Sequence, residues 1–289
     1  MPEGHTLHRL ALDLGAAFGG DLTWSSSPQG RFAEGAARIG PRVMEGAEAY
    51  GKQLFVRFAG LEEQVRVHLG LIGGLAIHSG LPEPGAVGDL DARPVVGQVR
   101  WRLESVRAWA DLRGATVCTL ITPDEKAAYL AKLGPDPLRD DADPSQAWRR
   151  INRSRSTIGA LLMDQSVLAG VGNVYRAEVL FRHNLDPFLE GRFLRREEWD
   201  AIWGDLVGLM AYGVTHNRID TVRPEHEPEA MGRAPREDDH GGEVYVYRRT
   251  HLPCLVCGTP VRTEVLAGRN LFWCPRCQPR SRRRTPVRG

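Results

Sequence analysis

The sequence predicts an α+β multidomain protein with an N-terminal β-sandwich, a helical middle domain and a small C-terminal β-hairpin module. Three observations lead to this fold class. Short β-prone runs dominate residues 1–122, apolar residues at helical spacing dominate residues 145–213, and two Cys-x-x-Cys pairs lie near the C-terminus. The chain has 289 residues, which is enough for two domains and a small third one.

The N-terminal β-sandwich is predicted to span residues 1–124. Its β-prone runs are rich in β-branched and aromatic residues and are bounded by Gly, Pro or Asp. These runs are 54–58, 65–69 and 115–121. Cys118 is expected to be a buried strand residue, and His68 is expected to be a hydrogen-bonded strand histidine rather than a catalytic base.

A helix is predicted to flank the sandwich immediately behind the N-terminus. Within residues 5–18 the apolar side chains recur at helical spacing, and Thr6 is expected to act as the N-cap. The apolar positions are Leu7, Leu10, Leu14 and Phe18.

A linker is predicted at residues 125–144, where Gly and Pro are dense, and a helical domain is predicted at residues 145–222. The sequence Gly-Val-Gly-Asn, which ends at Asn173, separates two of the predicted helices. Asn173 is expected to cap the second of them, so that the pair forms a unit of the helix-turn-helix type. The predicted helices are Thr157–Gln165, Val174–His183 and Arg195–Met210.

Four of the five cysteines form the two Cys-x-x-Cys pairs. Four thiolates at this spacing can close a tetrahedral site with no open position, so one structural Zn²⁺ is predicted in a finger over residues 244–280. Strands at 261–265 and 271–273 would form its hairpin, and Arg269 is expected at the tip, where it can contact phosphates. The four metal ligands are Cys254, Cys257, Cys274 and Cys277.

Charge is distributed unevenly, although the formal net charge is only +2. A polar loop is predicted at residues 223–243 and a basic tail at 281–289. From Tyr245 onward there are ten Arg and one acidic residue, which indicates a polyanionic partner such as nucleic acid.

The N-terminus lacks signal-peptide features and no apolar run could span a bilayer. We therefore expect a cytoplasmic, nucleoid-associated protein with no membrane partner.

Six motifs that occur in one order along the chain resemble those of the formamidopyrimidine-DNA glycosylase and endonuclease VIII (Fpg/Nei) family, and bacterial endonuclease VIII in particular. The resemblance covers nearly the whole chain and implies that residues 145–222 form a helix-two-turns-helix DNA-binding domain. The motifs are Pro2-Glu3-Gly4-His5, Gly51-Lys52-Gln53-Leu54, His68-Leu69-Gly70-Leu71-Ile72-Gly73, Leu133–Leu138, Leu162–Val179 and the cysteine finger with Arg269.

The resemblance implies a monomeric DNA-repair glycosylase and abasic-site lyase that acts on double-stranded DNA containing a damaged base or an abasic site. Removal of Met1 would expose the secondary amine of Pro2, which would attack the deoxyribose C1′ and form a Schiff base. By the same resemblance, Glu3 would be the general acid, Lys52 a second proton donor in elimination, and Arg269 the holder of the phosphate in δ-elimination.

Four further residues are implied to contact DNA: Asn173, Leu71, Ile72 and Arg113. Asn173 and the free amides of its helix would bind a phosphate. Leu71 and Ile72 lie on the turn where endonuclease VIII members carry their wedge, which fills the gap left by a flipped base. Arg113 lies in a segment where Fpg members carry an Arg and a wedge Phe, but the Phe is missing here.

The missing Phe favours oxidised pyrimidines as the substrate. Two alternatives stay open at this point. One is an Fpg-type enzyme for oxidised purines such as 8-oxoguanine and formamidopyrimidine. The other is a non-catalytic DNA-binding zinc protein.

Overall fold

The computed structural model describes residues 2–79, 95–237 and 242–282. Contacts between residues group the chain into two compact units. The first contains Pro2 and Thr6–Ala131, and the second contains Glu3–His5 and the chain from Lys132 onward. Within the described ranges, no helix is both long enough and apolar enough to cross a lipid bilayer.

The first unit contains an antiparallel sheet whose described strands have the order β5-β7-β6-β1-β2-β3-β4-β8. The strands are β1 (Leu22–Ser26), β2 (Arg42–Tyr50), β3 (Gln53–Phe58), β4 (Gln64–His68), β5 (Gly74–Ser79), β6 (Val99–Glu104), β7 (Ala108–Arg113) and β8 (Val117–Ile121). β1 and β2 share two register pairs, whereas β2 and β3 share six, so the sheet divides into two halves at β1 and β2.

The two halves of the sheet form the predicted β-sandwich. Residues from both halves, such as Val56 of β3 and Leu103 of β6, lie in one buried cluster, as expected when two layers pack face to face. The three runs that were predicted from the sequence correspond to β3, β4 and β8. Cys118 of β8 is buried, as predicted, and burial raises the pKa of its thiol to about 12.

The first unit contains the predicted flanking helix, which begins earlier in the sequence than predicted. The helices are α1 (Gly4–Phe18), α2 (Ala33–Ile39) and α3 (Pro123–Leu130). Leu7, Leu14 and Phe18 of α1 enter the buried cluster of the sandwich. Thr6 is not the N-cap, because α1 begins at Gly4. The Gly4 N–H already donates to the Gly170 carbonyl at 2.8 Å and needs no capping side chain.

The described part of the second unit contains five α-helices ahead of its C-terminal hairpin. Its helices are α4 (Pro144–Ile151), α5 (Ile158–Leu161), α6 (Asn173–Arg182), α7 (Arg196–His216) and α8 (Pro228–Met231). α5 is shorter than predicted because the Asp164 carboxylate accepts hydrogen bonds from the N–H and the hydroxyl of Ser166, which turns the chain. α7 is longer than predicted and ends at His216, where the following Asn217 caps the helix with a φ of 52°.

α6 lies at the centre of the second core. Residues 173–181 are all buried, including the charged side chains of Arg176 and Glu178. Apolar residues of α4, α5 and α7 join those of α6 in one buried cluster, together with the segment Val244–Tyr247. Because α6 is buried on every side, its charged residues must find partners inside the protein.

The C-terminal module is a hairpin of β9 (Arg262–Leu266) and β10 (Arg269–Trp273), as predicted. Ala267 and Gly268 form the turn, with φ values of 52° and 70°. Arg269 is therefore the first residue of β10 rather than part of the turn itself, because a two-residue turn with two positive φ angles matches the twist of the paired strands.

Two predicted segments contain more structure than expected. α3 occupies the beginning of the predicted linker 125–144. The predicted polar loop contains α8 and a short helical turn at Pro224–His226. Residues 238–241 of that loop and 283–289 of the predicted tail lie outside the described residues. The domain limits themselves stay predictions.

Candidate functional site

Glu3 is the centre of the candidate site in the second unit. Its side chain is fully buried, and its two oxygens accept hydrogen bonds of 2.8 Å, one from the N–H of Gly172 and one from the N–H of Val174. These amides open α6, where N–H groups have no partner within the helix and the helix dipole stabilises an anion. The carboxylate that follows Pro2 in the sequence is therefore held in a fixed position.

Two glycines allow the N-terminal segment to pack closely against the start of α6. A Cβ atom on Gly172 would lie 2.4 Å from Cδ of Glu3. A Cβ atom on Gly4 would lie 2.8 Å from Cα of Gly170. The Gly-Val-Gly sequence, interpreted above as a helix breaker, thus also lets Glu3 reach the amides of α6.

Gln165 closes the turn that presents these amides. Its Nε2 donates to the carbonyl of Val171 at 2.9 Å and to that of Met163 at 3.0 Å. Its Oε1 accepts from the N–H of Gly170 at 3.0 Å. One amide side chain therefore bonds to both ends of the segment between α5 and α6, which fixes the start of α6.

Asn173 is not the N-cap of α6. Gly172 takes that position, and Asn173 is the first helical residue. Because the oxygens of Glu3 already satisfy the first amides, the side chain of Asn173 can bond elsewhere. Its Nδ2 donates to the carbonyl of Asn270 at 2.9 Å, and its Oδ1 accepts from Arg176. Asn173 thus connects the start of α6 to the hairpin of the C-terminal module.

Arg269 lies beside a cavity at the tip of the hairpin. The cavity has a volume of about 310 Å³ and is lined by residues from the α5 region and the hairpin, namely Ser156, Ala160, Leu161, Met163, Asp164, Ala267 and Arg269. Its lining includes the cation of Arg269 and the apolar side chains of Leu161 and Met163. The guanidinium of Arg269 can bind a phosphate at this position, and the carboxylate of Asp164 in the same lining would oppose an anion.

The electrostatics of Arg176 link Glu3 and Arg269. Burial lowers the pKa of Arg176 to about 10, the negative charge of Glu3 opposes this effect, and the positive charge of Arg269 adds to it. The hydrogen bonds give the same grouping: Glu3 binds the amides on either side of Asn173, and Asn173 binds both Arg176 and the carbonyl of the residue that follows Arg269. The second unit brings together three of the residues that were predicted from the sequence.

Lys52 belongs to the first unit, in the turn between β2 and β3. It lies within electrostatic reach of His68: burial, and then the charges of Lys52 and Arg66, lower the pKa of His68. Nδ1 of His68 accepts the N–H of Gly70 at 2.9 Å, which confirms that His68 is a hydrogen-bonded strand residue. Lys52 is thus near the end of β4, where the chain enters the turn that carries Leu71 and Ile72.

Leu71 and Ile72 expose their side chains on the turn between β4 and β5. Leu71 is 47% exposed and Ile72 is 90% exposed. Gly70 has a φ of 72°, and a Cβ atom on Gly73 would lie 2.2 Å from the carbonyl oxygen of Leu69, so the turn is tight. The two apolar side chains are accessible to a ligand, as a wedge requires.

Arg113 is bonded within the protein and does not lie in a loop. It is the last residue of β7, and the connection to β8 is formed by residues 114–116. Its guanidinium donates to Asp111 at 2.8 Å and to the carbonyl of Val96 at 2.8 Å. Asp111 is buried and also pairs with the buried Arg102 at 2.7 Å. These bonds hold Arg113 along the sheet, so a DNA contact by this side chain has to compete with them.

The four predicted metal ligands lie together. Their Sγ atoms are all within 4.8 Å of one another. The Sγ atoms of Cys254 and Cys277 are 3.8 Å apart, and those of Cys257 and Cys274 are 3.5 Å apart. A tetrahedral site with Zn–S bonds of ~2.3 Å needs sulphur separations of ~3.8 Å. The donor set therefore fits one structural Zn²⁺ bound by four cysteines.

Glu178 is a buried residue that the sequence analysis missed. Its Oε1 accepts the N–H groups of Val246 and Tyr247 at 2.9 and 2.8 Å. Its Oε2 accepts the N–H of Tyr245 and the hydroxyl of Thr221, both at 2.7 Å. These bonds fix the segment that leads into the zinc module onto α6. The sequence gives little signal for them, because the partners are 43 to 69 residues away.

The helical region and the cysteine finger each match a known domain family. Residues 133–223 match the formamidopyrimidine-DNA glycosylase H2TH domain, and residues 252–280 match the zinc finger found in FPG and IleRS. The chain is 50% identical over 286 residues to Endonuclease 8 1 of Mycobacterium tuberculosis, an alignment that covers 96% of this chain and 100% of that protein. It is 30% identical over 251 residues to the formamidopyrimidine-DNA glycosylase of Thermomicrobium roseum, which covers 84% of each chain.

The fold is similar to that of a formamidopyrimidine-DNA glycosylase from Lactococcus lactis, solved in a non-covalent complex with DNA that contains an abasic site. The TM-score is 0.75 at 20% sequence identity, and the match covers 96% of this chain and 100% of that chain. At this identity the similarity shows the fold, a β-sheet unit followed by the H2TH domain and the zinc-finger hairpin.

Proposed function

The chain belongs to the formamidopyrimidine-DNA glycosylase and endonuclease VIII family of bifunctional DNA glycosylases and abasic-site lyases, and from this membership we propose its substrate and mechanism. We propose that it removes oxidised pyrimidines from double-stranded DNA and cuts the resulting abasic site by β,δ-elimination through a Schiff base on Pro2. The observation that carries this proposal is the buried carboxylate of Glu3, fixed on the start of α6 directly after Pro2.

Glu3 would transfer a proton in the first step. The neutral amine of Pro2, exposed by removal of Met1, attacks C1′, and the base leaves with the electron pair of its glycosidic bond and takes a proton from solvent. The carboxylate of Glu3 accepts the proton that the Pro2 nitrogen loses. It then donates this proton to O4′ as the C1′–O4′ bond breaks, which leaves an iminium between Pro2 and C1′. In this scheme Glu3 acts first as a base and then as the general acid that was predicted from the sequence.

The iminium then promotes strand cleavage. Its positive charge draws electrons from the sugar, so that loss of a C2′ proton breaks the bond to the 3′ phosphate and loss of a C4′ proton breaks the bond to the 5′ phosphate. Lys52 would donate a proton during elimination, and the guanidinium of Arg269 would hold the phosphate that leaves in the second cleavage. The cavity beside Arg269 favours this role.

The preference for oxidised pyrimidines is argued from two features of the first unit. The exposed pair Leu71 and Ile72 can fill the gap in the base stack, as the wedge of endonuclease VIII members does. The connection at residues 114–116 is short and lacks Phe, the wedge residue of Fpg members. An Fpg-type preference for oxidised purines is the alternative substrate range.

DNA would be contacted by Asn173, which would bind a phosphate, and by Arg113, and the protein would act as a monomer. Nδ2 of Asn173 uses one hydrogen for the carbonyl of Asn270, and its second hydrogen would donate to the phosphate. Arg113 is 35% exposed, so part of its guanidinium stays accessible while it pairs with Asp111. Phosphate contacts of this kind predict binding that weakens steeply as the salt concentration rises.

Borohydride trapping tests the proposed nucleophile. The mature chain is mixed with duplexes that contain thymine glycol, 8-oxoguanine or an abasic site, and borohydride reduces the Schiff base to a stable adduct. We expect a covalent adduct with the abasic and thymine glycol duplexes, and none with undamaged DNA. A Pro2→Gly variant would lose most of the adduct, because a primary amine replaces the constrained secondary amine.

The matched control for this test is Pro28→Gly, which changes an exposed turn proline of the same unit. It should trap as well as the parent chain. Full trapping by the Pro2 variant would move the nucleophile to another residue. Faster trapping on 8-oxoguanine than on thymine glycol would assign the enzyme to oxidised purines. The absence of an adduct with every duplex would identify a non-catalytic DNA-binding protein.

Arg269→Ala is expected to change the products rather than the first step. Without the guanidinium, the 5′ phosphate leaves more slowly, so that products of β-elimination accumulate at the expense of δ-products. Electrophoresis of end-labelled abasic DNA after a single turnover separates the two ends. A change of about tenfold or more in the product ratio is expected, since losing one preorganised electrostatic contact can cost roughly 100–1,000-fold. An unchanged ratio would exclude this role for Arg269.

A further inference from the structure

Arg176 contacts both strands of the C-terminal hairpin, close to the turn that precedes Arg269. Its side chain is fully buried. Nη1 donates to the carbonyl of Leu266 at 3.4 Å, and Nη2 donates to the carbonyl of Asn270 at 3.4 Å. Leu266 and Arg269 are paired in register, and Asn270 directly follows Arg269. The guanidinium therefore binds the backbone of the residue paired with Arg269 and that of the residue after it.

The same guanidinium is anchored to the helical domain. Nη1 also donates to the carbonyl of Gly159 in α5 at 3.3 Å, and Nη2 donates to Oδ1 of Asn173. A Cβ atom on Gly159 would lie 2.9 Å from Cδ2 of Leu266, so the backbone of α5 and the hairpin are in direct contact. Arg176 thus bonds to α5, α6 and the hairpin at once.

These bonds use properties of arginine that lysine lacks. The guanidinium is planar, carries five N–H donors in a rigid fork and stays charged at working pH. A lysine ammonium has three donors at one point and cannot reach carbonyls on both sides of a turn at once. Burying a charge whose partners are mostly neutral carbonyls costs free energy unless each of these hydrogen bonds forms. The Arg176 side chain and the hairpin therefore restrict each other's conformation.

We propose that Arg176 is a positioning residue for strand cleavage: by binding the carbonyls of Leu266 and Asn270 it fixes the hairpin tip, and so aims Arg269 at the leaving phosphate. This inference rests on the proposed role of Arg269 in δ-elimination. Arg176 does not touch the substrate in this scheme. It acts through the backbone of the hairpin.

The test compares Arg176→Lys with Arg249→Lys and Arg269→Ala. Arg249 is a matched control, because it is a partly buried arginine that also binds two backbone carbonyls. It donates to the carbonyls of Tyr245 at 2.6 Å and of Pro253 at 2.9 Å, both of which precede the first cysteine of the metal group. All three zinc-loaded variants are given end-labelled abasic DNA for one turnover. Amide hydrogen exchange is measured on the same preparations at residues 266–270.

Arg176→Lys is expected to lower the ratio of δ- to β-elimination products by about tenfold or more, since misplacing a catalytic group by ~1 Å can cost roughly 100-fold. Exchange at residues 266–270 should become faster in this variant. Arg249→Lys should leave both the ratio and the exchange at the tip as in the parent. A double variant of Arg176→Lys with Arg269→Ala should show no further loss, because both changes remove the same interaction.

Three results would overturn the inference. If Arg269→Ala lowers the ratio of δ- to β-elimination products and Arg176→Lys does not, the inference fails but the proposed role of Arg269 stands. This holds even when amide exchange at residues 266–270 becomes faster, because Arg176 then has a structural role only. If Arg249→Lys lowers the ratio as much as Arg176→Lys, the effect is a general loss of packing. If Arg269→Ala itself has no effect, the proposed role of Arg269 fails and the inference fails with it. Where Arg176→Lys folds poorly, Arg176→Met with Arg249→Met repeats the comparison.

Discussion

Replacing Glu3 by Gln is expected to reduce base excision by about 100- to 10,000-fold, the usual contribution of a positioned proton-transfer group. The amide of Gln cannot take the proton from Pro2 and pass it to O4′. The change keeps the size of the side chain, so it leaves the space at the start of α6 filled. The rate is measured in a single turnover on a duplex containing thymine glycol.

The same variant has an internal control in the abasic substrate. The sugar of an abasic site opens to an aldehyde in water, so condensation with Pro2 does not need Glu3 to open the ring. We therefore expect cleavage of a preformed abasic site to fall much less than base excision. Equal losses on the two substrates would show that Glu3 serves only to hold the N-terminus in place.

Stability must be measured alongside activity in the Glu3→Gln variant. One terminal group of the introduced glutamine is an NH₂, which would face the N–H of either Gly172 or Val174 instead of accepting from it. A buried donor without an acceptor costs about 1–3 kcal/mol, so the melting temperature should fall by a few degrees. Activity is compared at a temperature where both proteins are folded.

Replacing Cys274 by Ser is expected to abolish the zinc site and most of the DNA affinity. Cys274 is fully buried and its Sγ lies 3.5 Å from that of Cys257. A hydroxyl cannot replace the thiolate, and structural zinc supplies roughly 10–16 kcal/mol in isolated finger peptides. The hairpin that carries Arg269 would lose its order. We expect apparent affinity to fall about 100-fold, which corresponds to ~2.7 kcal/mol of lost contacts.

The measurements are zinc content per chain and a fluorescence titration with abasic DNA. Cys118→Ala is the matched control, because it removes a buried cysteine that lies outside the metal group. This control should bind one zinc per chain and bind DNA like the parent. Full zinc content in the Cys274 variant would contradict the four-cysteine site. Parent-like affinity in the zinc-free protein would mean that the hairpin does not contribute to binding.

Local patterns were enough to predict much of the fold. β3, β4 and β8 are short apolar runs between turn residues, and the cysteine spacing alone predicted the metal group. The ends of elements were harder to predict because tertiary contacts determine them. α1 begins before Thr6 because Gly170 binds the N–H of Gly4, and α5 ends early because Asp164 binds Ser166.

The same distinction applies to the candidate site. The motifs identified Glu3, Asn173 and Arg269, but they did not indicate the contacts that bring these residues together. Arg176 and Glu178 look like ordinary surface charges of a helix in the sequence, because a charge on a helix is most often solvated. Most of their partners are backbone groups, which lie up to 94 residues away and which no local pattern encodes.

The buried thiol of Cys118 has a consequence for the conditions in which this enzyme would work. Peroxides react with the thiolate form of cysteine, and a thiol whose pKa is about 12 is almost entirely protonated near neutral pH. The other four cysteines would bind zinc as thiolates, the form that oxidants attack. Cys118 is therefore expected to stay reduced in the presence of peroxide, and any oxidative loss of function is expected to begin at the zinc module.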